Sequence, residues 1–134
     1  MEKCIFCKIS KNEIPFNKIG ESKNFISFLD LSPKNKGHAL IVPKKHYINL
    51  KDFPESLGNE LIKFSKEIMN KISKATKATD FKFLINNGEK ADQFVFHAHF
   101  HIVPYYNKDE ETKPKVSNEE RKKLAEKISK VKVY

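Results

Sequence analysis

The chain has 134 residues, enough for one domain with its own core, and carries a formal net charge of +9. No apolar run approaches membrane-spanning length, and the start Met1-Glu2-Lys3-Cys4 lacks the apolar stretch of a leader, so a cytoplasmic location is expected. Of 26 basic residues only Arg121 is arginine, and the scattered lysines read as a solvated surface, which argues against nucleic acid as a partner.

Cys4-Ile5-Phe6-Cys7-Lys8-Ile9 opens the chain as a short helical turn with Ile5, Phe6 and Ile9 facing inward. Cys4 and Cys7 are three apart, so they share a face of that turn and could clamp one metal ion. Two cysteines cannot build a disulfide framework, and nothing else here looks like a redox dithiol protein. A strand is expected near Phe16 to Glu21, and a β-forming run follows from Asn24 to Asp30. Leu31 to Gly37 is a loop by composition. His38 to Pro43 reads as a buried strand with His38 at its entrance and Lys44-Lys45-His46 at its exit.

Pro54 to Lys77 is the clearest helix. Leu57, Leu61, Phe64, Ile68, Ile72 and Ala75 recur at three- and four-residue steps. Pro54 suits a first helical position and Asp52 a cap. Phe81 to Ile85 is another strand, followed by a turn at Asn86 to Lys90 centred on Asn87-Gly88. The run Phe94 to Tyr106, F-V-F-H-A-H-F-H-I-V-P-Y-Y, reads as a strand that Pro104 stops, antiparallel to its predecessor. Lys108 to Val116 is polar. Ser117-Asn118-Glu119-Glu120 fits a capping box that opens a C-terminal helix with Leu124, Ile128 and Val131 on its apolar stripe. The expected fold is α+β: an antiparallel five-stranded sheet, one long helix, a short N-terminal helix and a C-terminal helix, in one domain over 1–134.

His97, His99 and His101 alternate, so on a strand all three imidazoles share one face, with Ala98, Phe100 and Ile102 on the other. At about 3.3 Å per residue, His97 and His101 would stand roughly 13 Å apart, too far for one zinc to take all three. A neutral imidazole can instead attack phosphorus, given one neighbour to fix its tautomer and others to bind phosphate oxygens. Satisfied histidines on an interface strand are the plainer alternative, and three in strict alternation favour the chemistry.

His-x-His-x-His followed by apolar residues resembles the histidine triad (HIT) family of nucleotide hydrolases and transferases. Cys4 to Ile9, Glu13-Ile14-Pro15, Phe28 to Pro33, Gly37-His38, Ile41 to His46, Asn86-Asn87-Gly88 and Gln93 resemble further family segments in the same order. The likeness covers roughly Cys4 to Tyr106, with 107–134 similar to the helical extension of bacterial, Hint-like members. His101 stands where the hexose-phosphate nucleotidyltransferase branch has Gln, which places the resemblance with the hydrolases.

The resemblance implies roles. His99 would be the nucleophile that takes the nucleoside monophosphate, and His101 would tend the phosphate or leaving group. His97 would orient the nucleophile or serve a metal, and His38 would hold His99 in its reactive tautomer. Asn86 and Gln93 would lie with the nucleotide, Asp30 would accept from ribose hydroxyls, and Phe6, Ile9, Phe28 and Leu31 would sandwich a purine. Cys4, Cys7, His46 and His97 would hold a structural zinc. The implied reaction cleaves a purine nucleoside phosphoramidate or related conjugate, with dinucleoside polyphosphate cleavage or a nucleotide-binding interaction module as alternatives. A homodimer is implied, with the long helix and the strand before it as candidate interface. Phe94 replaces a frequent Ser or Thr, and Asp92 a frequent Gly, which leaves the leaving group open.

Overall fold

Alternating apolar residues decide which side of each strand is buried. The computed structural model describes residues 3–108, 113 and 117–133. Its elements are α1 (Ile5–Ser10), β1 (Lys18–Glu21), β2 (Phe25–Leu29), β3 (Ala39–Pro43), α2 (Gly58–Thr76), β4 (Asp80–Ile85), β5 (Phe100–Tyr105) and α3 (Asn118–Ser129). The strands form one antiparallel sheet in the order β1-β2-β3-β5-β4. The α+β expectation with five strands is met. No described helix is long and apolar enough to cross a membrane.

One face of the sheet carries Phe25, Leu29, Ala39, Ile41, Phe100 and Ile102. These pack on Leu61, Phe64, Ile68, Ile72 and Ala75 of α2 and on Leu124, Ala125 and Ile128 of α3. The intervening residues Ile26, Phe28, Leu40 and Val42 point the other way and meet Phe6 and Ile9 of α1. Burial of each such large apolar side chain contributes about 1.5–3 kcal/mol. All five residues of β2 and of β3 are buried, so the centre of the sheet is covered on both faces.

Several boundaries differ from expectation. β1 begins at Lys18, and Phe16 instead packs edge-on against Phe28 at 5.8 Å. Pro54 precedes a 3₁₀ turn, Glu55–Leu57, and the long helix starts only at Gly58. Asp52 belongs to an earlier turn, Leu50–Asp52, where its carboxylate accepts from the Ile48 and Asn49 amides. The largest difference is in the histidine run. Only His101 lies on a strand, while 94–99 run outside the sheet, tied by the Ala98 amide to the Tyr47 carbonyl at 2.6 Å. Pro104 does not stop β5 but sits inside it, because the ladder with β3 ends at Ile102 and no bond to β3 is lost. Asn87-Gly88 is not a tight hairpin turn, since 86–99 separate β4 from β5. β3, the strand before the long helix, is paired on both sides and so cannot join a second sheet. Of the polar stretch Lys108 to Val116, residues 109–112 and 114–116 lie outside the described residues.

Gly37 ends the loop that delivers His38. Its φ is +82°, and a Cβ there would meet the Tyr106 hydroxyl at 3.3 Å and Ile72 Cγ2 and Pro104 Cγ at 3.4 Å. Gly37→Ala therefore lowers stability by about 1–2 kcal/mol. Urea unfolding reads this directly, and an unchanged midpoint would contradict the assigned backbone.

Candidate active site and adjoining metal centre

All five histidines of the chain converge in two adjoining clusters. The 30–38 loop builds one side of the first. The Asp30 amide donates to the His38 carbonyl (3.0 Å) and the His38 amide to the Asn35 carbonyl (3.1 Å), so the loop closes on itself. Asn35 Nδ2 donates to the Pro104 carbonyl (2.8 Å) and the Tyr106 hydroxyl to the Lys36 carbonyl (2.7 Å), which fixes the loop against β5.

This frame sets the imidazole tautomers. The Lys34 amide donates to His38 Nδ1 at 3.0 Å, so that nitrogen keeps its lone pair and Nε2 carries the proton. His38 Nε2–H then donates to His101 Nδ1 at 3.0 Å, with an Asp30 carboxylate oxygen 3.5 Å from the same nitrogen. His101 must therefore carry its proton on Nε2, and that atom is buried with no partner among the described residues. A donor left in this state costs about 1–3 kcal/mol, which an incoming acceptor would recover. His99 is held differently. Its Nδ1–H donates to the carbonyl of His97 at 2.8 Å, which leaves the Nε2 lone pair open. The rings of His99 and His101 are 5.1 Å apart.

His38 was expected to hold the tautomer of His99. It holds His101 instead, and the His97 backbone carbonyl sets His99. No side-chain pattern could have announced this, because the deciding groups are the Lys34 amide and the carbonyls of Pro43 and His97.

Burial keeps these rings neutral. It pushes His101 down to about 4, helped by His99 and His38, and lowers His38 and His99. The unfolded chain takes up these protons near the ordinary histidine value, and the folded protein only further down. The associated stability is thus complete above about pH 6.5 and is lost as pH falls toward 4. Thermal melts from pH 7 to 4.5 should show a falling midpoint, and His101→Asn should flatten that slope. A variant with the parent's slope would contradict the assignment.

Phe6 bridges the two clusters, edge-on to His99 at 5.1 Å and to His97 at 5.9 Å. Phe6, Ile9 and Phe28 are buried against one another under α1, whereas Leu31 is 65% exposed at the lip. Asp30 directs one carboxylate oxygen to the Ser32 amide at 2.9 Å. Asn86 follows β4 and makes no hydrogen bond within the described residues. Gln93 does not fit the nucleotide role. It is 1% exposed, and its amide is spent on the Ile48 and Val95 carbonyls and the Gly88 amide, bracing the loops. Phe94 is 79% exposed.

The second cluster joins Cys4, Cys7, His46 and His97, whose ligand atoms all lie within 4.8 Å of one another. His97 Nδ1 is 3.4 Å from Cys4 Sγ and 3.5 Å from Cys7 Sγ, and His46 Nδ1 is 3.2 Å from Cys7 Sγ. Sulfur and nitrogen on a tetrahedral zinc stand about 3.5 Å apart, so the set fits that ion. The tautomer fits as well. His97 Nε2–H donates to the Pro43 carbonyl at 2.7 Å, which turns the Nδ1 lone pair to the sulfurs. Burial and the neighbouring Cys4 push the Cys7 thiol up to about 11, a proton that metal binding would displace. Asp30, His38 and His101 also lie within 4.8 Å of one another. A metal there would have to remove the His38 Nε2 proton that the Lys34 amide enforces, so hydrogen bonding is the better account.

Fold and site together define a class: a single-sheet α+β protein in which alternating histidines and one loop histidine gather into one cluster. The chain belongs to the histidine triad family, whose HIT domain model matches residues 11–108. A HIT-like protein of Methanocaldococcus jannaschii is 42% identical, covering 81% of this chain and 83% of its own length. The adenosine 5'-monophosphoramidase of Schizosaccharomyces pombe is 39% identical over 79% of this chain and 77% of its own. A zinc-bound histidine triad family protein from Mycobacterium smegmatis superposes with a TM-score of 0.83 at 29% identity, covering 96% of this chain and 91% of that one.

Proposed function

We propose that this protein is a nucleotide hydrolase that releases a nucleoside monophosphate from a purine nucleoside phosphoramidate or related nucleotidyl conjugate. The observation that carries the reading is the pair of imidazole nitrogens set in opposite senses, His99 Nε2 with an open lone pair and His101 Nε2–H without a partner. The resemblance to the fission-yeast phosphoramidase supports the same substrate class.

His99 Nε2 attacks phosphorus in line with the departing group, giving a nucleotidyl-His99 intermediate. His101 Nε2–H donates a hydrogen bond to the leaving atom, which takes up a proton as it departs, and the water that attacks the intermediate supplies the replacing proton. The Lys34 amide, acting through His38, holds His101 in that tautomer. Leu31, Phe6, Ile9 and Phe28 offer an apolar lip and floor for a purine, Asp30 an acceptor for ribose hydroxyls, and Asn86 an amide for the phosphate. Phe94 offers no hydroxyl to the leaving group, so contact with that group falls to His101.

Cys4, Cys7, His46 and His97 would hold a zinc, which when bound supplies a rigid cross-link between α1, the 44–47 segment and the histidine run. The thiols suit a reducing, cytoplasmic setting. One domain spans 1–134, with its core over 4–106 and an extension over 107–134. A homodimer would form through the outer face of the long helix, or along β4, an edge strand of the sheet with Phe83 43% exposed.

Incubation with adenosine 5'-phosphoramidate tests the activity. AMP release by the native protein, saturable in substrate, is the expected result. Binding without turnover would leave a nucleotide-binding module and overturn the hydrolase.

A further inference from the structure

One residue of the metal cluster also belongs to the nucleophile's support. The His97 ring faces both cysteine sulfurs, and the His97 carbonyl holds His99 Nδ1–H at 2.8 Å. The sulfurs are not sealed in. Cys4 is half-buried, and a groove of about 530 Å³, which Cys7 and His46 line together with Glu13 and four lysines, opens over Cys7.

We propose that Cys4 and Cys7 form an oxidation site for peroxide, whose conversion to a disulfide releases the metal and disables His99 through His97. This rests on the hydrolase reading above. In the first step the Cys4 thiolate attacks one peroxide oxygen, the O–O bond breaks, and the hydroxide that leaves takes up a proton as water. Cys4 is then a sulfenic acid. The Cys7 thiolate attacks that sulfur, the S–O bond breaks, and a second water departs. Two electrons have passed from the sulfur pair to peroxide, and an external dithiol reverses the change.

The geometry states the consequence. An S–S bond is about 2.05 Å long, so both sulfurs must turn toward each other, and neither then presents a thiolate to His97 Nδ1 or His46 Nδ1. A disulfide is a poor zinc ligand, so the ion leaves. The buried His97 ring then has its Pro43 bond alone, and a shift of its backbone moves the carbonyl that aims His99.

The test treats zinc-loaded protein with hydrogen peroxide and follows four readouts together. These are intact mass, zinc captured by a chromogenic chelator, AMP release, and the His99 imidazole signals in ¹⁵N NMR. The expected result is loss of the mass of two thiol hydrogens and zinc released in step. The His99 Nδ1–H signal should be displaced and turnover reduced about 10²-fold, the effect of misplacing a reacting group by an ångström. Dithiol and zinc should restore all four. Cys4→Ser should resist the mass change, and if that variant fails to fold, peptide mapping of the native protein locates the bond. Oxygen added at methionine with both thiols intact would overturn the proposal. So would a disulfide that leaves the His99 signals in place. Protein without turnover before oxidation would overturn the hydrolase reading alone, because mass, zinc and NMR still decide the oxidation site.

Discussion

His99→Ala abolishes AMP release, with turnover falling at least about 10³-fold, while the fold survives. The size follows from what is removed. No other imidazole presents an open lone pair on this face: His101 Nε2 carries a proton, His38 is bonded at both nitrogens, and the His97 and His46 Nδ1 atoms face sulfur. Loss of a covalent nucleophile typically costs several orders of magnitude. The stability effect is smaller, because the ring packs edge-on against Phe6 at 5.1 Å and its loss leaves a modest cavity. Steady-state AMP release and a thermal melt on the same sample separate the two. Residual turnover within tenfold of the parent would show that another group attacks.

The second large expected effect is on stability, from zinc supplied to the Cys4, Cys7, His46 and His97 cluster. Zinc-loaded protein should melt on the order of 10 °C above chelator-treated protein when free zinc is about 10²–10³ times its dissociation constant. The gain is of that order because the Cys4, Cys7, His46 and His97 donor atoms already lie together, so little reorganisation opposes binding. Affinity should rise with pH, since the Cys7 proton, held up to about 11 in the absence of metal, must leave. Cys7→Ser should remove the zinc dependence of the melting point. A native protein whose melt ignores both zinc and chelator would overturn the metal assignment.

The parts of the fold that were legible are those fixed by burial on repeating faces. Leu61, Phe64, Ile68, Ile72 and Ala75 define α2 because a helix that covers a sheet must present one apolar stripe. β2 and β3 were legible because strands buried on both faces are nearly all apolar, and the one polar residue, Ser27, satisfies its hydroxyl on the Leu40 carbonyl. The histidine run misled for the same reason. Its alternation reads as a strand, yet 94–99 leave the sheet, because the Ala98 amide bonds to Tyr47 and Gln93 anchors the loop. The rings still cluster on one side, and His101 keeps the alternation through β5. At the site, the residue types that gather into the two clusters were legible, while the tautomers were not. They depend on backbone groups of Lys34, Pro43 and His97, which every residue possesses and only tertiary structure aims. Gln93 shows the converse. Its position beside the triad suggested ligand contact, but a buried amide must satisfy itself, and the loop supplies all its partners.

The most direct measurement of the central claim is intact mass of the native protein mixed with adenosine 5'-phosphoramidate and quenched within one turnover. The quench should denature at alkaline pH, where a phosphorus–nitrogen bond to histidine survives. The account predicts a mass increase of one nucleotidyl group, mapped to the peptide containing His99 and absent from His99→Ala. Turnover with no adduct at any quench time, or an adduct that persists in His99→Ala, would contradict it.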